Sequence, residues 1–547
     1  MKKLKLLFIT FFTIITCYCQ QKDFLITDYG ARPDGVTNNV LAIQHAIDDA
    51  FNKGGGSVIV PVGKFLSGVI HLKSNVQLYI SEGAVLLAST NRLDYGPSQK
   101  ASAFIVADSA TNVSIKGKGT IDGQCDLLIK DIYNKLKSGE LYDKEWREFN
   151  PWDQRRPAEG NRPKIIEFQN CTGITIKNIL ITNGTSWIQN YENCTDVIID
   201  SERVLSNAFW NNDGMDITDC KNVRVTNCNI NAADDGICLK SEKRNRRCEN
   251  IYVSDCKIRS SASAVKFGTS SRGGFKNIII KDIEVYDTYR SAIAIEAVDG
   301  GSVENVNVRN INAVNTGNAI FIRLGHRNKD TAYSRLRNVY IGEIKVQVPA
   351  GKPDKGYTME GPELKYPRSF KSHTSFKYQS VSPWNNSGID SSAVPYPHNV
   401  FPSSITGLPG HPVEDITLEN IEITYDGGSN KEVNYFPLDS FHAITEAEKD
   451  YPEFSMFGEV PVWGLYVRHA NNITLKNIKL VNKKSDYRTA VLADDVKKIA
   501  LQNFSVAGAT SFPVLFFNKA KPLTLNKIEI PGNRNETIKI NNDSDAK

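Results

Sequence analysis

Three aspartates lie close together in the sequence at a spacing suited to acid/base chemistry. Asp213 belongs to the stretch NNDG, and Asp234 and Asp235 belong to a similar stretch, ADDG, about 20 residues later. If the two stretches are equivalent points of a repeat that stacks as parallel strands, the carboxylates lie about 4.8 Å apart. Neighbouring like charges raise the pKa of one carboxyl, which then stays protonated beside an ionised partner. The trio therefore predicts hydrolysis by an acid and a base.

The elements that must position these residues are copies of one short repeat. The pattern x-N-[IV]-x-[IV]-x-[ND] recurs every 23 to 33 residues or so, and its apolar residues alternate as in β-strands. Each copy can bury its Ile/Val face only against its neighbours, so the pattern predicts a right-handed parallel β-helix. A β-sandwich is the alternative, but the regular hairpin signals it requires are missing. The copies lie around Gly173, Asp196, Asn222, Asn250, Asn277, Asn305 and Asn338, with later ones near Asp415, Asn472 and Lys498.

Aligning successive copies separates inward from outward residues. The predicted inward column consists of Met215, Ile237, Val265, Ile293 and Ile320. The predicted outward residues place Asp216 beside Lys266, and Lys240 near Glu296 and Arg323.

Before the repeats, a helix is predicted to cover the open end of the solenoid. Thr37 or Asn38 is expected to cap it, and Gly54 to end it. The predicted apolar face consists of Leu41, Ala42, Ala46, Ile47, Ala50 and Phe51.

One domain accounts for most of the chain. Residues 1–19 have the basic start and short apolar run of a signal peptide, and residues 20–547 form the predicted β-helix domain. Two inserts, 349–412 and 426–462, interrupt its later coils, and the second contains a predicted short helix at 443–450. Long inserts in compact folds are usually functional.

The start of the chain also predicts export to the periplasm or the medium. Lipid attachment at Cys17 or Cys19 is an alternative that the preceding residues fit poorly. Without the three lysines of the leader, the net charge falls from +5 to about +2, which argues against nucleic acid as a partner. No other apolar run is long enough for a membrane span, and we expect a monomer without metal or cofactor.

The cysteines repeat with the same period as the strands. Cys171, Cys194, Cys220 and Cys248 share one place in successive copies, and a second place is shared by Cys228 and Cys256. Adjacent coils would bring them within disulfide range, and export would permit oxidation. A ladder of packed thiols is favoured over disulfides because free Cys is commonly buried.

The N-terminal block, the repeats and the NNDG and ADDG stretches together resemble glycoside hydrolase family 28, the polygalacturonases and rhamnogalacturonan hydrolases. The resemblance covers about residues 24–345, with further coils to about 510. It implies inverting hydrolysis of pectin, with Asp234 as general acid, Asp213 and Asp235 activating water, and Asp216 shaping the site. Inverting enzymes separate acid and base by about 6.5 to 9.5 Å.

Two family motifs are altered in this chain. Polygalacturonases carry Gly-His-Gly in the third coil and Arg-Ile-Lys in the fourth, whereas this chain has Ala262-Ser263-Ala264 and Ala294-Ile295-Glu296. The second change removes cations that would hold a galacturonate carboxylate. Replacement cations are expected on outward faces, where together with Asp216 and Glu296 they would bind an acidic sugar or form a solvated strip. They are Lys240, Lys266, Arg323, His326 and Arg327.

The sequence thus predicts an exported, exo-acting hydrolase of galacturonic-acid-containing pectin, either polygalacturonan or rhamnogalacturonan. One alternative is a uronate lyase or epimerase, since parallel β-helices also host those enzymes. The other is a non-catalytic glycan-binding solenoid, whose aspartates would only cap turns.

Overall fold

The computed structural model describes residues 22–144, 156–361 and 398–541, and within them the chain winds as a right-handed parallel β-helix. The predicted fold class is therefore confirmed. Every pairing between its strands is parallel, and successive coils stack in register. The predicted signal peptide lies outside the described residues. No helix among those described is long and apolar enough to cross a membrane.

The strands, in chain order, are β1 (Asp23–Leu25), β2 (Asp34–Asn38), β3 (Gly56–Val60), β4 (Gly63–Ser67), β5 (Ile70–His71), β6 (Val76–Ile80), β7 (Ala84–Ala88), β8 (Ile105–Asp108), β9 (Thr111–Gly117), β10 (Thr120–Asp122), β11 (Ile166–Gln169), β12 (Thr172–Lys177), β13 (Leu180–Thr182), β14 (Gln189–Glu192), β15 (Thr195–Asp200), β16 (Arg203–Ser206), β17 (Met215–Thr218), β18 (Lys221–Thr226), β19 (Asn229–Ala232), β20 (Ile237–Ser241), β21 (Cys248–Ser260), β22 (Val265–Ser271), β23 (Gly274–Ala297), β24 (Ser302–Leu324), β25 (Arg335–Val348), β26 (Ser403–Thr406), β27 (Val413–Tyr425), β28 (Val462–Asn482), β29 (Thr489–Ala507), β30 (Leu515–Glu529) and β31 (Ile538–Asn541).

Each coil contributes to three faces, which we call sheets A, B and C in the order that the chain visits them. Sheet A contains β5, β8, β11, β14, β17, β20, β22, β26 and β31. Sheet B contains β1, β3, β6, β9, β12, β15 and β18, and sheet C contains β2, β4, β7, β10, β13, β16 and β19. The longer strands, β21, β23 to β25 and β27 to β30, each run through more than one sheet.

The core fills the space between the three sheets. The predicted inward column is confirmed: Met215 pairs with Ile237, Ile237 with Val265, and the column continues to Ile293 and Ile320. All five side chains are fully buried. Burial of such aliphatic side chains contributes roughly 1.5 to 3 kcal/mol each, which stabilises the stack of coils.

The Asn of each repeat has a structural role at the start of sheet B. Asn222, Asn250, Asn277 and Asn305 adopt left-handed backbone conformations, which Asn tolerates better than most residues. Their side-chain amides form a ladder, with Asn250 donating to Asn222 at 3.0 Å and Asn277 donating to Asn250 at 3.1 Å. The ladder explains why this residue recurs with the period of the coils.

Helix α1 (Val40–Asn52) lies at the N-terminal end of the solenoid, as predicted. Asn39 precedes it, one residue beyond the predicted caps, although the Asn38 side chain accepts a hydrogen bond from the Val40 amide at 3.1 Å. Ile43, Ala46, Ile47 and Ala50 are buried, whereas the predicted Leu41 and Phe51 are exposed. The remaining helices are α2 (Cys125–Ser138), α3 (Arg534–Thr537) and the 3-10 helices Ile26–Tyr29, Arg92–Tyr95, Glu159–Asn161 and Leu438–Ala443.

Two predicted bounds in the inserts are wrong. The insert 349–412 contains β26, a rung of sheet A that pairs with β24 and β28, so the interruption ends before Ser403. The predicted helix at 443–450 is instead a 3-10 helix at Leu438–Ala443. The second insert packs as a separate apolar cluster on sheet A, in which Phe454, Met456 and Phe457 are buried.

Candidate active site

The three aspartates lie in the turns that lead from sheet C into sheet A. Asp213 comes just before β17, and Asp234 and Asp235 come just before β20, the next rung. Glycine follows each acidic position because the coils approach closely there. A Cβ atom on Gly214 would lie 2.6 Å from the Gly236 carbonyl oxygen, and a Cβ atom on Gly236 would lie 2.6 Å from the Ala264 carbonyl oxygen.

This stacking brings the trio together. One oxygen from each of Asp213, Asp234 and Asp235 lies within 4.8 Å of the other two. Asp213 and Asp235 are almost fully buried, and Asp234 is half-buried. Such a set of oxygens could in principle hold a metal ion, but lysine ammonium groups already supply positive charge to two of the carboxylates.

Lys240 and Lys266 are the two lysines that pair with the aspartates. The Lys240 ammonium lies 3.2 Å from Asp213 and also contacts Asp216. The Lys266 ammonium lies 3.1 Å from Asp235 and donates to the Tyr451 hydroxyl at 2.8 Å. Both lysines are buried, so neither ion pair is screened by bulk water.

Asp234 has different partners. In the described part of the chain no cationic side chain forms an ion pair with it. Its oxygens accept hydrogen bonds from the Asp235 amide at 2.9 Å and the Asn211 side chain at 3.4 Å. Burial, together with the negative charge of Asp235, raises the pKa of Asp234. This carboxyl therefore has the surroundings of a general acid.

Asp235 has the surroundings of a base. Burial opposes its ionisation, but the positive charges of Lys266, Arg290 and Lys240 outweigh burial and hold the pKa of Asp235 below its ordinary value. Its second oxygen accepts the Ser263 amide at 3.1 Å. Two adjacent residues thus have pKa values shifted in opposite directions.

Asp213 and Asp216 share one lysine. Burial raises the pKa of Asp213 well above its ordinary value and raises the pKa of Asp216 to about 6, against the opposing charge of Lys240. One ammonium cannot balance two buried carboxylates, so the protonated form of one of them is favoured. The resemblance implies that Asp213 and Asp235 both activate water. Of these two, Asp235 is the residue whose surroundings favour the ionised form.

The trio opens into a cleft of about 280 Å³ on the outer face of sheet A. Several residues that the sequence analysis missed also line it. Trp187 lies at one side, with its ring centroid 3.7 Å from the Lys240 ammonium. Arg156 and Arg290 add positive charge, and Tyr451 reaches the cleft from the second insert. Arg290 lies four residues before the altered Arg-Ile-Lys position, which is why motif alignment did not find it.

Three of the predicted substrate-binding cations, Lys240, Lys266 and Arg327, line this cleft. Lys240 and Lys266 form ion pairs with Asp213 and Asp235, respectively. Arg327 pairs with Asp299 at 3.0 Å. Asp216 is fully buried beneath Lys240.

The other three predicted residues lie away from the cleft lining. Arg323 is buried beneath the second insert and donates to the carbonyl oxygens of Gly407 and Glu446. Glu296 is buried near Lys266, and burial raises its pKa to about 8. The His326 ring stacks on Tyr333, with ring centroids 4.2 Å apart.

A parallel β-helix with an acid and a base of divergent pKa in one cleft has the features of a carbohydrate-cleaving hydrolase. Residues 53–358 match the family model for glycosyl hydrolases family 28. The chain therefore belongs to this family and is a glycosidase.

Individual relatives agree with this assignment. The chain is 24% identical over 425 residues to a probable polygalacturonase of Vitis vinifera, covering 74% of this chain and 75% of that one. It is 26% identical to an exo-poly-alpha-D-galacturonosidase of Dickeya chrysanthemi, over 51% of this chain and 53% of the relative.

Solved structures share the fold. The hyperthermoactive exopolygalacturonase of Thermotoga maritima superposes with a TM-score of 0.55 at 22% identity, covering 74% of this chain and 87% of that one. The family 28 exopolygalacturonase of Yersinia enterocolitica gives a TM-score of 0.52 at 16% identity, covering 96% and 78% respectively.

Proposed function

We propose that the protein hydrolyses galacturonic-acid-containing pectin, with Asp234 as the general acid and Asp235 as the general base. The observation that carries this proposal is the ion pair of Lys266 with Asp235 at 3.1 Å, whereas among the described residues no cation forms an ion pair with the adjacent Asp234. An acid and a base of suitable pKa therefore face the same cleft.

In the proposed reaction, Asp234 gives its proton to the glycosidic oxygen as the bond from that oxygen to the anomeric carbon breaks. Asp235 takes a proton from a water molecule, whose oxygen forms the new bond to the anomeric carbon. Asp213 orients this water by hydrogen bonding. Attack from the face opposite the leaving group inverts the configuration.

Inversion is a proposal derived from the family resemblance. The nearest oxygens of the trio lie within 4.8 Å, which is closer than the separation typical of inverting glycosidases. Proton NMR of the first product released distinguishes the outcomes. Inversion of an α-linkage predicts the β-anomer first, and early appearance of the α-anomer would overturn this part of the proposal.

An acidic substrate suits the charges of the cleft. Arg156, Arg290 and Arg327 line it, and guanidinium groups favour carboxylates through charge-assisted hydrogen bonds. Arg290 approaches Glu453 of the second insert at 3.5 Å. A galacturonate carboxylate is the sugar substituent that these arginines would recognise.

Attack at chain ends is supported by the positions of both inserts. Tyr451 of the second insert contacts Lys266 in the cleft. From the first insert, Glu360 and Gly361 line the cleft, and the Met359 carbonyl accepts hydrogen bonds from Ser261 at 2.6 Å and Asn207 at 3.0 Å. Inserts that contribute to the cleft lining restrict how a long chain can lie across the trio. The segment 362–397 lies outside the described residues.

Product analysis on polygalacturonan and on rhamnogalacturonan tests the proposal. Exo-attack predicts mono- or digalacturonate from the first minutes, with a slow fall in viscosity. A rapid fall in viscosity with mixed oligomers would overturn exo-attack. Products that absorb ultraviolet light would indicate a lyase, and the absence of turnover on every uronate polymer would overturn hydrolysis.

A further inference from the structure

Next to the cleft, four successive turns between sheets A and B form a strongly basic surface. We call it the basic turn cluster, and it comprises residues 242–247, 271–273, 299–301 and 326–335. These turns contain eight lysines and arginines and only three acidic residues. The cluster therefore carries a net charge of about +5, equal to that of the whole chain.

Close backbone packing holds the turns together. A Cβ atom on Gly273 would lie 1.5 Å from the Arg246 carbonyl oxygen, and one on Gly301 would lie 2.1 Å from the Ser271 carbonyl oxygen. The Arg335 amide donates to the Gly301 carbonyl at 3.0 Å. The backbones of successive turns are thus about one coil spacing, or 4.8 Å, apart.

Most of these cations lack an acidic partner. Arg244 pairs with Asp330, and Arg327 pairs with Asp299. In the segments that the structure describes, the other six make no ion pair. They are Lys243, Arg246, Arg247, Arg272, Lys329 and Arg335.

Several exposed lysines on sheets B and C do have acidic partners. Lys177 pairs with Asp200 at 2.9 Å, Lys257 with Glu284 at 3.7 Å, and Lys476 with Glu419 at 2.8 Å. Unpaired like charges held close together repel one another and destabilise the fold unless an anion neutralises them. The cluster is therefore suited to a multivalent anion.

The cluster is continuous with the active-site cleft. Glu242, Thr269 and Arg327 line the cleft, and the chain passes from each of them directly into the turns. A polymer whose end occupies the cleft would meet the cluster as it leaves. Polygalacturonate carries one carboxylate per sugar, and the four turns together present a net charge of about +5 to such a polyanion.

We propose that the basic turn cluster is an auxiliary binding surface for the part of a polyuronate chain that extends beyond the cleft. This inference rests on the proposed function and adds a second binding region to it. The surface would strengthen binding of long chains and leave binding of a disaccharide to the cleft.

The test removes three exposed charges with Lys243→Gln, Arg272→Gln and Lys329→Gln together. The matched control, Lys257→Gln, Lys345→Gln and Lys479→Gln, removes three exposed lysine charges from sheet C. Michaelis constants are measured for di-, tri- and hexagalacturonate and for polygalacturonate, at about 50 mM and about 300 mM salt.

In the parent, the Michaelis constant should fall with chain length at low salt. In the cluster variant, the Michaelis constant for polygalacturonate should rise about tenfold relative to that for digalacturonate. The control variant should keep the ratio of the parent. High salt should reduce the difference between the two variants. Equal length dependence in the cluster and control variants would overturn the inference.

A binding measurement separates this inference from the proposed function. Affinity for polygalacturonate is measured in the Asp234→Asn background, with and without the three cluster substitutions. If the parent cleaves no galacturonide, the proposed function fails, yet a loss of polygalacturonate affinity confined to the cluster variant would still support the surface. Tighter binding of DNA than of polygalacturonate would overturn the assignment to a polyuronate.

Discussion

At the scale of single residues, the adjacent Asp234 and Asp235 differ because Lys266 forms an ion pair with Asp235 and, within the described segments, no lysine does so with Asp234. Lys266 stabilises the ionised form of Asp235, whereas burial and the neighbouring negative charge stabilise the protonated form of Asp234. Their opposite pKa shifts suit the acid and the base of the proposed hydrolysis.

Asp234→Asn should lower kcat by about a thousandfold, because the leaving oxygen would lose its proton donor. Asp255→Asn makes the same chemical change at an exposed position of β21 and should leave kcat near that of the parent. Steady-state kinetics on polygalacturonan, with circular dichroism to check folding, measure the difference. A kcat in Asp234→Asn equal to that of the control would remove Asp234 from the mechanism.

Lys266→Met should move the acidic limb of the pH profile to higher pH. The cation now lowers the pKa of Asp235, so its removal raises that pKa and the base is ionised only at higher pH. Lys266→Arg keeps the charge and should leave the limb closer to that of the parent. The profile of kcat/KM against pH tests this expectation. If Lys266 only bound substrate, its removal would raise KM without shifting the acidic limb.

At the scale of elements, a buried carboxyl supports the turn that carries Asp213. Gln189 on β14 donates to Glu202 at 2.8 Å and to the Gly214 carbonyl at 3.2 Å. The second oxygen of Glu202 has no hydrogen-bond partner among the described residues. Burial raises the pKa of Glu202 to about 7.

Glu202→Gln should stabilise the protein above neutral pH. The folded-state pKa of Glu202 is above its ordinary value of about 4.5, so the folded protein favours the protonated form. The free energy of unfolding therefore falls as pH rises from about 4.5 through 7, where the carboxyl must ionise. A neutral amide removes this loss, which amounts to about 3 kcal/mol at pH 8. Urea unfolding at pH 5 and pH 8 measures the change, and an equal effect at both values would contradict it.

At the scale of the whole molecule, stability comes from stacking coils and not from covalent cross-links. All eight cysteines of the described segments are free and buried, which agrees with the predicted thiol ladder. Burial raises the pKa of the Cys248 thiol to about 12, so little of this thiol is ionised at neutral pH.

Thiol labelling should therefore be slow in the folded protein and complete only after unfolding. Without disulfides, addition of a reductant should leave Tm unchanged. Labelling of the protein without residues 1–19 in buffer and in denaturant, together with melting curves with and without reductant, measures both effects. A fall in Tm on reduction would show that the ladder contains disulfides.

The sequence by itself determined the solenoid and the acidic trio. Periodic residues become spatial neighbours in a parallel β-helix, so alignment of the repeats predicted the inward column and brought Asp213 near Asp234 and Asp235. The Asn residues recur in the sequence for the same reason, because each lies directly above the next in the ladder.

Only the tertiary structure decided how the cleft is completed. Lys266 and Tyr451 are 185 residues apart, and their contact depends on how a non-periodic insert folds back onto sheet A. The same holds for Arg290 and Glu453, and for Arg323, which the insert buries. Repeat spacing carries no information on such contacts, because the conformation of a long insert depends on packing that no local pattern encodes.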